Sequence, residues 1–459
     1  MQRAHGIAAS YGGERATDSP ALLTRELLQE LLGPPAERDF TVRLWDGTED
    51  GPGVARSRFV LILRHPASLR RLLLPPTQRH FAEAYLRDDI DIEGDIEAAT
   101  DLAAPLEHHL RSPGGLLRIG RRLLALRSDE AREHREDATS VTGAWGADHT
   151  RERDARVVRY HYDVGIDFYA SWLDRRMTYS CAFFPSGTED LDSAQEAKLE
   201  LICRKLRLRA DERLLDIGCG WGSLVIHAAE RFGVRAVGIT LSEPQAELAR
   251  ERIAAAGLEG RCRIEVRDYR DLPPDGSFDK LASIGMIEHV GRARLNEYFA
   301  QAFGLLRPGG LFLCHGIVSL KAHSAALPRV VDRARRRWSS FIERYVFPDA
   351  ELLLPSVDIA PAERAGFELR DLESLREHYA MTLRHWVSRL ERSREAAVRA
   401  AGETTYRIWR LYMAGSARAF ATGRIGVVQA LLAKRDALGA AALPPTRADL
   451  YASSLTSAR

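Results

Sequence analysis

"RLLDIGCGWGSLVIHAAERF", Arg213 to Phe232, decides the fold. "RLLDI" reads as a strand, "GCGWGS" as a turn, and "LVIHAAERF" as a helix. Gly218, Gly220 and Gly222 stand between strand and helix, where glycines let the backbone turn tightly and approach a ligand. An ordinary strand-to-helix turn is the bland alternative. A dinucleotide site calls for G-x-G-x-x-G and an acidic residue about 20 positions on. This loop runs G-x-G-x-G, and the next strand ends in "GITLSEPQ", whose Thr240, Ser242 and Gln245 are polar and uncharged. Both features argue against NAD.

The alternation continues outward. "VRAVGIT" is the next strand, "EPQAELARERIAAAG" a helix, and "CRIEVRD" a third strand. "KLASIGM" and "LFLCHGIV" follow as strands around the helix "LNEYFAQAFGLLRPGG", which ends on a Pro-Gly-Gly stop. Such repetition predicts a parallel sheet with helices on both faces and ligands at the carboxyl ends of its strands. One strand end carries an ionisable pair: in "KLASIGMIEHVG", Lys280 to Gly291, the apolar run stops at Glu288 and His289.

The bulk properties set the frame. A chain of 459 residues is too long for one ordinary core. Residues 1–110 hold short β-like runs, "FTVRLW" and "RFVLILRH", and form a small α+β domain. Residues 111–150, rich in Arg, Glu, Asp and His, read as a charged linker. Residues 151–440 form the main α/β domain, and 441–459 a flexible tail. The 66 basic and 64 acidic residues leave a charge of +2, so no global field recruits nucleic acid. Five cysteines without a C-x-x-C pair point to a reducing cytoplasm. No signal-peptide core and no run of about 18 apolar residues is present, so membrane contact is expected to be peripheral.

The chain resembles the cyclopropane-fatty-acyl-phospholipid synthases, relatives of the mycolic acid cyclopropane synthases. The motifs are "YHYDVGIDFYASWLDRRMTYSCAFF", "AQEAKLELICRKL", "DIGCGWGS", "GITLSEPQ", "RDYRDL", "GMIEHVG", "LRPGGLFLCHGIV", "RYVFP", "HYAMTLRHW" and "LYMAGSARAF", and the likeness runs from about 155 to about 435. It implies a doubly wound class I S-adenosylmethionine (SAM) methyltransferase domain, Rossmann-like, behind a smaller lipid-binding domain. The implied reaction transfers the SAM methyl group to the double bond of an unsaturated phospholipid acyl chain and closes a cyclopropane ring, with bicarbonate as the base. A methylene- or methyl-branched product of tuberculostearic type shares the first step. A small-molecule O- or N-methyltransferase and a lipid-binding protein with a vestigial fold are the other readings. An intact glycine loop and Glu288 speak against the last.

The same resemblance implies the site. Cys181, Glu288, His315, Ile317 and Tyr379 would cradle the bicarbonate. Tyr160, Tyr162, Thr178 and Tyr179 would lie near the sulfonium, which an aromatic face stabilises as it does an ammonium. Gly218, Gly220 and Gly222 would line the methionine end, Thr240 and Gln245 the ribose, and Asp268 with Tyr269 the adenine. Read singly, Cys181, His315 and Tyr379 are ordinary core residues; their joint occurrence reverses that reading. The chain departs from the family at Ile166, which stands before Asp167 where the family usually has Asn, at Ser223 in place of a further glycine, and in "SSFIERYVFP".

A bilayer substrate implies docking at the inner face of the membrane, and the resemblance leaves a homodimer open. In "GGLLRIGRRLLALR", Leu116, Ile119, Leu123 and Leu126 recur at helical spacing beside Arg118, Arg121, Arg122 and Arg127. This basic amphipathic helix could lie on anionic headgroups or pack on the protein's own core.

Overall fold

Leu214 and Leu215 are neighbours on one strand, and each is fully buried in a different core. Successive strand side chains point to opposite faces. The strand is therefore covered on both sides, as in a parallel sheet between helical layers. The computed structural model describes residues 19–74, 77–102, 113–126, 164–320, 341–347, 351–441 and 443–450, with 151, 153, 156 and 161 as isolated positions. The chain divides into two units, Met1–Asp137 and Ala138–Arg459.

In the first unit, α1 (Pro20–Leu32) precedes a sheet of β1 (Thr41–Arg43), β2 (Glu49–Asp50), β3 (Phe59–Leu63) and β4 (Ile90–Gly94), ordered β2-β1-β3-β4. Helices α2 (Ser68–Leu73) and α3 (Gln78–Leu86) join β3 to β4, and α4 (Ile96–Ala99) follows. Helix α5 (Pro113–Ala125), from the segment expected to be linker, packs on α1 and α2. Arg118 and Arg122 pair with Glu30 at 2.5 and 2.8 Å, and Arg122 with Glu26 at 2.6 Å. Ile119, Leu123 and Leu126 are at most 1% exposed. Of the two places open to this stripe, it takes the one on the protein's own core, because helical spacing predicts that a face is buried without naming what buries it. The Leu116 side chain and Arg127 lie outside the described residues.

The second unit runs α6 (Ile166–Ala170), α7 (Leu191–Lys205), β5 (Arg213–Ile217), α8 (Ser223–Phe232), β6 (Arg235–Thr240), α9 (Glu243–Ala255), β7 (Cys262–Val266), β8 (Phe278–Ile284), α10 (Ile287–Val290), α11 (Leu295–Leu305), β9 (Leu306–Ser319), α12 (Phe341–Tyr345), α13 (Pro355–Arg364), β10 (Glu368–Ser374), α14 (Arg376–Arg392), α15 (Arg394–Ala421) and β11 (Ile425–Ala433). Its sheet is ordered β10-β11-β9-β8-β5-β6-β7. Helices α7, α8 and α9 supply the core on one face, and α11 and α13 that on the other.

Strands β9, β8, β5, β6 and β7 run parallel, whereas β11 lies antiparallel between β9 and β10. The sheet is therefore mixed where the repeats predicted a parallel one: the last two strands fall beyond those repeats. "Pro-Gly-Gly", expected to stop a helix, lies inside β9, because α11 already ends at Leu305. Part of the expected tail is packed as well. Leu450 is buried, Arg204 donates to its carbonyl at 3.4 Å, and Arg447 meets Asp371 at 2.7 Å. Strand order reverses beside β5, which pairs with β6 on one side and β8 on the other. Ligands of open α/β sheets bind at that crevice.

Candidate active site

The loop after β5 holds Gly218, Gly220 and Gly222 at φ +81°, +52° and +79°, a left-handed backbone that strains other residues. Across the crevice, the chain leaves β8 through Gly285 into α10, which carries Glu288. Gly316 of β9 lacks the side chain that would collide with Ile287, so α10 lies directly on β9. Glu288 Oε1 then accepts a hydrogen bond from the Ile317 amide at 2.6 Å.

A cavity of about 400 Å³ opens above these strand ends. Cys181, Glu288, His315, Ile317 and Tyr379 all line it, together with Thr178, Tyr179, Gly218, Gly220 and Gln245. A second cavity of about 90 Å³ shares Gly218, Gly220, Gln245, Gly285 and His289 with the first and adds Thr240, Asp268 and Tyr269. The two make one elongated groove across the switch point. Gly222 lines neither cavity. It caps α8, and a Cβ there would lie 3.1 Å from that of Ala249, so it lets α8 pack closely on α9. Tyr160 and Tyr162 lie outside the described residues.

Burial sets the electrostatics. Desolvation pushes the Glu288 carboxyl up to about 7, against the Ile317 hydrogen bond that favours its charged form. Desolvation, with the Lys198 and Lys205 charges, pushes His315 down to about 3, so its imidazole is neutral. Burial raises the Cys181 thiol far above neutrality, which favours its neutral form over the thiolate. Glu288 Oε2 and His315 Nε2 are buried and lack a hydrogen-bond partner among the described residues. Two such groups on one cavity are costly unless a small polar ligand meets them. A compact oxyanion that can both accept and donate fits that pair.

Two helices hold the Cys181 segment in place. From α7, Gln195 Nε2 donates to the Thr178 and Ser180 carbonyls at 3.2 and 2.9 Å, and Lys198 Nζ to Ser180 Oγ at 3.0 Å. From α14, Thr382 Oγ1 accepts from the Ala182 amide at 3.0 Å. Lys198 and Asp216 both line the cavity and are residues that sequence reasoning missed. Burial lowers Lys198 to about 8 and raises Asp216 to about 7, and the charge of each partly offsets the shift of the other. The available signal was a helix face of Gln195, Lys198, Ile202 and Lys205 at spacings of three and four.

The Tyr179 ring lies 5.2 Å from that of Trp386 and 5.6 Å from Trp172, inside an aromatic cluster. In the smaller cavity, Thr240 Oγ1 donates to Gln245 Oε1 at 2.7 Å. Both oxygens of Asp268 accept from Arg270. Burial would raise that carboxyl, but the Arg270 hydrogen bonds hold it below its ordinary value.

The family described as mycolic acid cyclopropane synthetase matches residues 149–430, which take in the whole groove. The chain belongs to this family. A domain of unknown function matches residues 27–108. A probable fatty acid methyltransferase of Pseudomonas putida is 40% identical over 422 residues, 91% of this chain and 98% of the relative. The tuberculostearic acid methyltransferase UfaA1 of Mycobacterium tuberculosis is 38% identical over 295 residues, 61% of this chain and 66% of the relative. The solved mycolic acid cyclopropane synthase CmaA1, complexed with SAH and CTAB, is 33% identical with a TM-score of 0.56 over 61% of this chain and 97% of its own. The chain is thus a SAM-dependent methyltransferase of a lipid-modifying family, with a class I Rossmann-like domain that follows an N-terminal one in sequence.

Proposed function

We propose that the chain transfers the SAM methyl group to the double bond of an unsaturated phospholipid acyl chain and closes it to a cyclopropane ring. The observation that carries this reading is the meeting of Cys181, Glu288, His315, Ile317 and Tyr379 on one cavity beside the glycine loop. SAM supplies an electrophilic methyl group on a sulfonium. An alkene is a weak nucleophile, and its attack leaves a cation on the acyl chain, so the site must be dry and must offer electron-rich faces. Phe347, Leu383, Tyr412, Phe420 and Val427 give the cavity an apolar wall suited to a hydrocarbon chain. Tyr179 and Tyr412 offer aromatic faces to positive charge.

Ring closure needs a base that removes a proton from the newly added methyl group. Bicarbonate held by Glu288 Oε2, His315 Nε2, the Tyr379 hydroxyl and contacts from Cys181 and Ile317 would supply that base. Neutral His315 would hold such an ion without surrendering a proton to it. Among the described residues no helix is long and apolar enough to cross a membrane. A substrate held in a bilayer calls for peripheral contact, which this reading places on the cytoplasmic leaflet.

A second reading has one observation in its favour, the name of the tuberculostearic acid methyltransferase among the relatives. Migration of a hydride from the methylated carbon to the cation, followed by loss of a proton from the added methyl group, would leave a methylene branch, and loss of a proton from a neighbouring chain carbon would leave a methyl-branched alkene. Mass spectrometry of phospholipids after incubation with methyl-labelled SAM separates the outcomes. A gain of one CH2 unit with loss of the double bond is expected. A retained double bond assigns branching, and label confined to a soluble metabolite overturns both readings.

A further inference from the structure

Glu373, Gln429 and His315 occupy directly opposed positions on three adjacent strands, β10, β11 and β9. Cross-strand partners share one face of a sheet, so the three side chains form a polar row through the interior. Lys205, at the end of α7, reaches this row. Its Nζ contacts Glu373 Oε2 and donates to Gln429 Oε1 at 2.7 Å. Gln429 Nε2 in turn lies 3.1 Å from His315 Nδ1. Lys205, Gln429 and His315 are each at most 2% exposed, so water does not compete along the row.

The chemistry of the row admits one arrangement. An ammonium paired with a carboxylate can only donate, so the Gln429 amide must turn its oxygen to Lys205 and its NH2 to His315. A donor facing Nδ1 requires a lone pair there, which leaves the imidazole hydrogen on Nε2. We propose that Lys205 and Gln429 are positioning residues that fix His315 as the neutral Nε2–H tautomer, so that it offers a hydrogen-bond donor to an oxyanion in the cavity.

The consequence rests on the proposed role of His315 at the base site. The opposite tautomer would set a lone pair against the anion. An imidazolium would hand the base the proton that it must collect from substrate. Burial and the Lys198 and Lys205 charges oppose the imidazolium, and the Gln429 amide settles which neutral form remains.

The test is histidine-selective 15N NMR of the full chain at pH 7 without SAM or lipid, with the His315 signals assigned by their loss in His315→Asn. The expected spectrum shows a bare Nδ1 and a protonated Nε2. In Gln429→Glu, a carboxylate faces Nδ1, and the neutral Nε2–H form should vanish through transfer of the proton to Nδ1 or addition of a second. Turnover should then fall on the order of 100-fold while SAM affinity stays within about twofold. A wild-type spectrum with hydrogen on Nδ1 overturns the proposal, even if the variant does not fold. So does a Gln429→Glu protein that keeps the neutral Nε2–H signature. The spectrum is read without substrate, so failure of the ring-forming reading would leave it standing.

Discussion

Gly316 and Ile287 lie so close that a Cβ on Gly316 would sit 2.3 Å from Ile287 Cγ2. This contact seats α10 on β9 and brings Glu288 within reach of the Ile317 amide. Gly316→Ala should therefore overpack the junction, cost about 1–3 kcal/mol, and lift Glu288 out of the cavity. The expected result is a lower Tm in thermal denaturation together with a loss of turnover larger than the stability change explains. Unchanged Tm and rate would remove Gly316 from the construction of the site.

The buried stripe of α5 makes a different forecast. Leu123 is 0% exposed among α1, α2 and α5, so Leu123→Ala should destabilise the first unit by about 2–5 kcal/mol. Chemical denaturation should show that loss. Sedimentation with anionic vesicles, measured where the variant is still folded, should change little. Strongly weakened vesicle binding in a stable Leu123→Ala protein would restore this face as a membrane contact.

The strand-turn-helix at Arg213–Phe232 was legible because its signals are local: an apolar run, positive-φ glycines, then helical spacing. Glu288 was legible for the same reason, as a carboxylate where a strand ends. Strand β11, "IGVVQALLA", is an apolar run with no glycine turn and helix after it, and its place between β9 and β10 depends on pairings more than 50 residues distant. Lys198 and Lys205 show the deeper limit. On an isolated helix two lysines at that spacing mark a solvent face, yet α7 turns them inward toward Ser180 and Gln429. Only tertiary packing creates those acceptors. The Arg270 pairing of Asp268 was closer to hand, lying two residues away.

The Lys198 charge lowers the buried Asp216 carboxyl at the start of the glycine loop, and its Nζ donates to Ser180 beside Cys181. Lys198→Met keeps the length of the side chain and deletes its charge, leaving Asp216 without its buried counter-charge. Without that opposing charge, burial raises the Asp216 carboxyl further beside the glycine loop. SAM affinity, measured by calorimetry, should weaken at least about tenfold, equivalent to about 1.4 kcal/mol. An unchanged SAM Kd would confine Lys198 to structural support.

Glu288 gives the pH prediction. Its folded value of about 7 lies above its ordinary 4.5, with burial as the cause. The folded state therefore binds more protons than the unfolded state between those limits, and stability falls as pH rises through them. The contribution is fully present below pH 4.5 and lost above 7, with an upper size of about 3 kcal/mol from a shift of this order. Asp216 and Asp358, also raised to about 7 by burial, add slopes of the same sign, and Asp358 is coupled to Glu288. Glu288→Gln keeps an acceptor for the Ile317 amide and removes the ionisation. Its stability relative to wild type should therefore climb between pH 5 and pH 8 in paired urea titrations, while turnover is lost and SAM binding is kept. A stability difference flat across that range would show that Glu288 ionises in the fold as it does in water, and wild-type turnover in the variant would remove it from the chemistry.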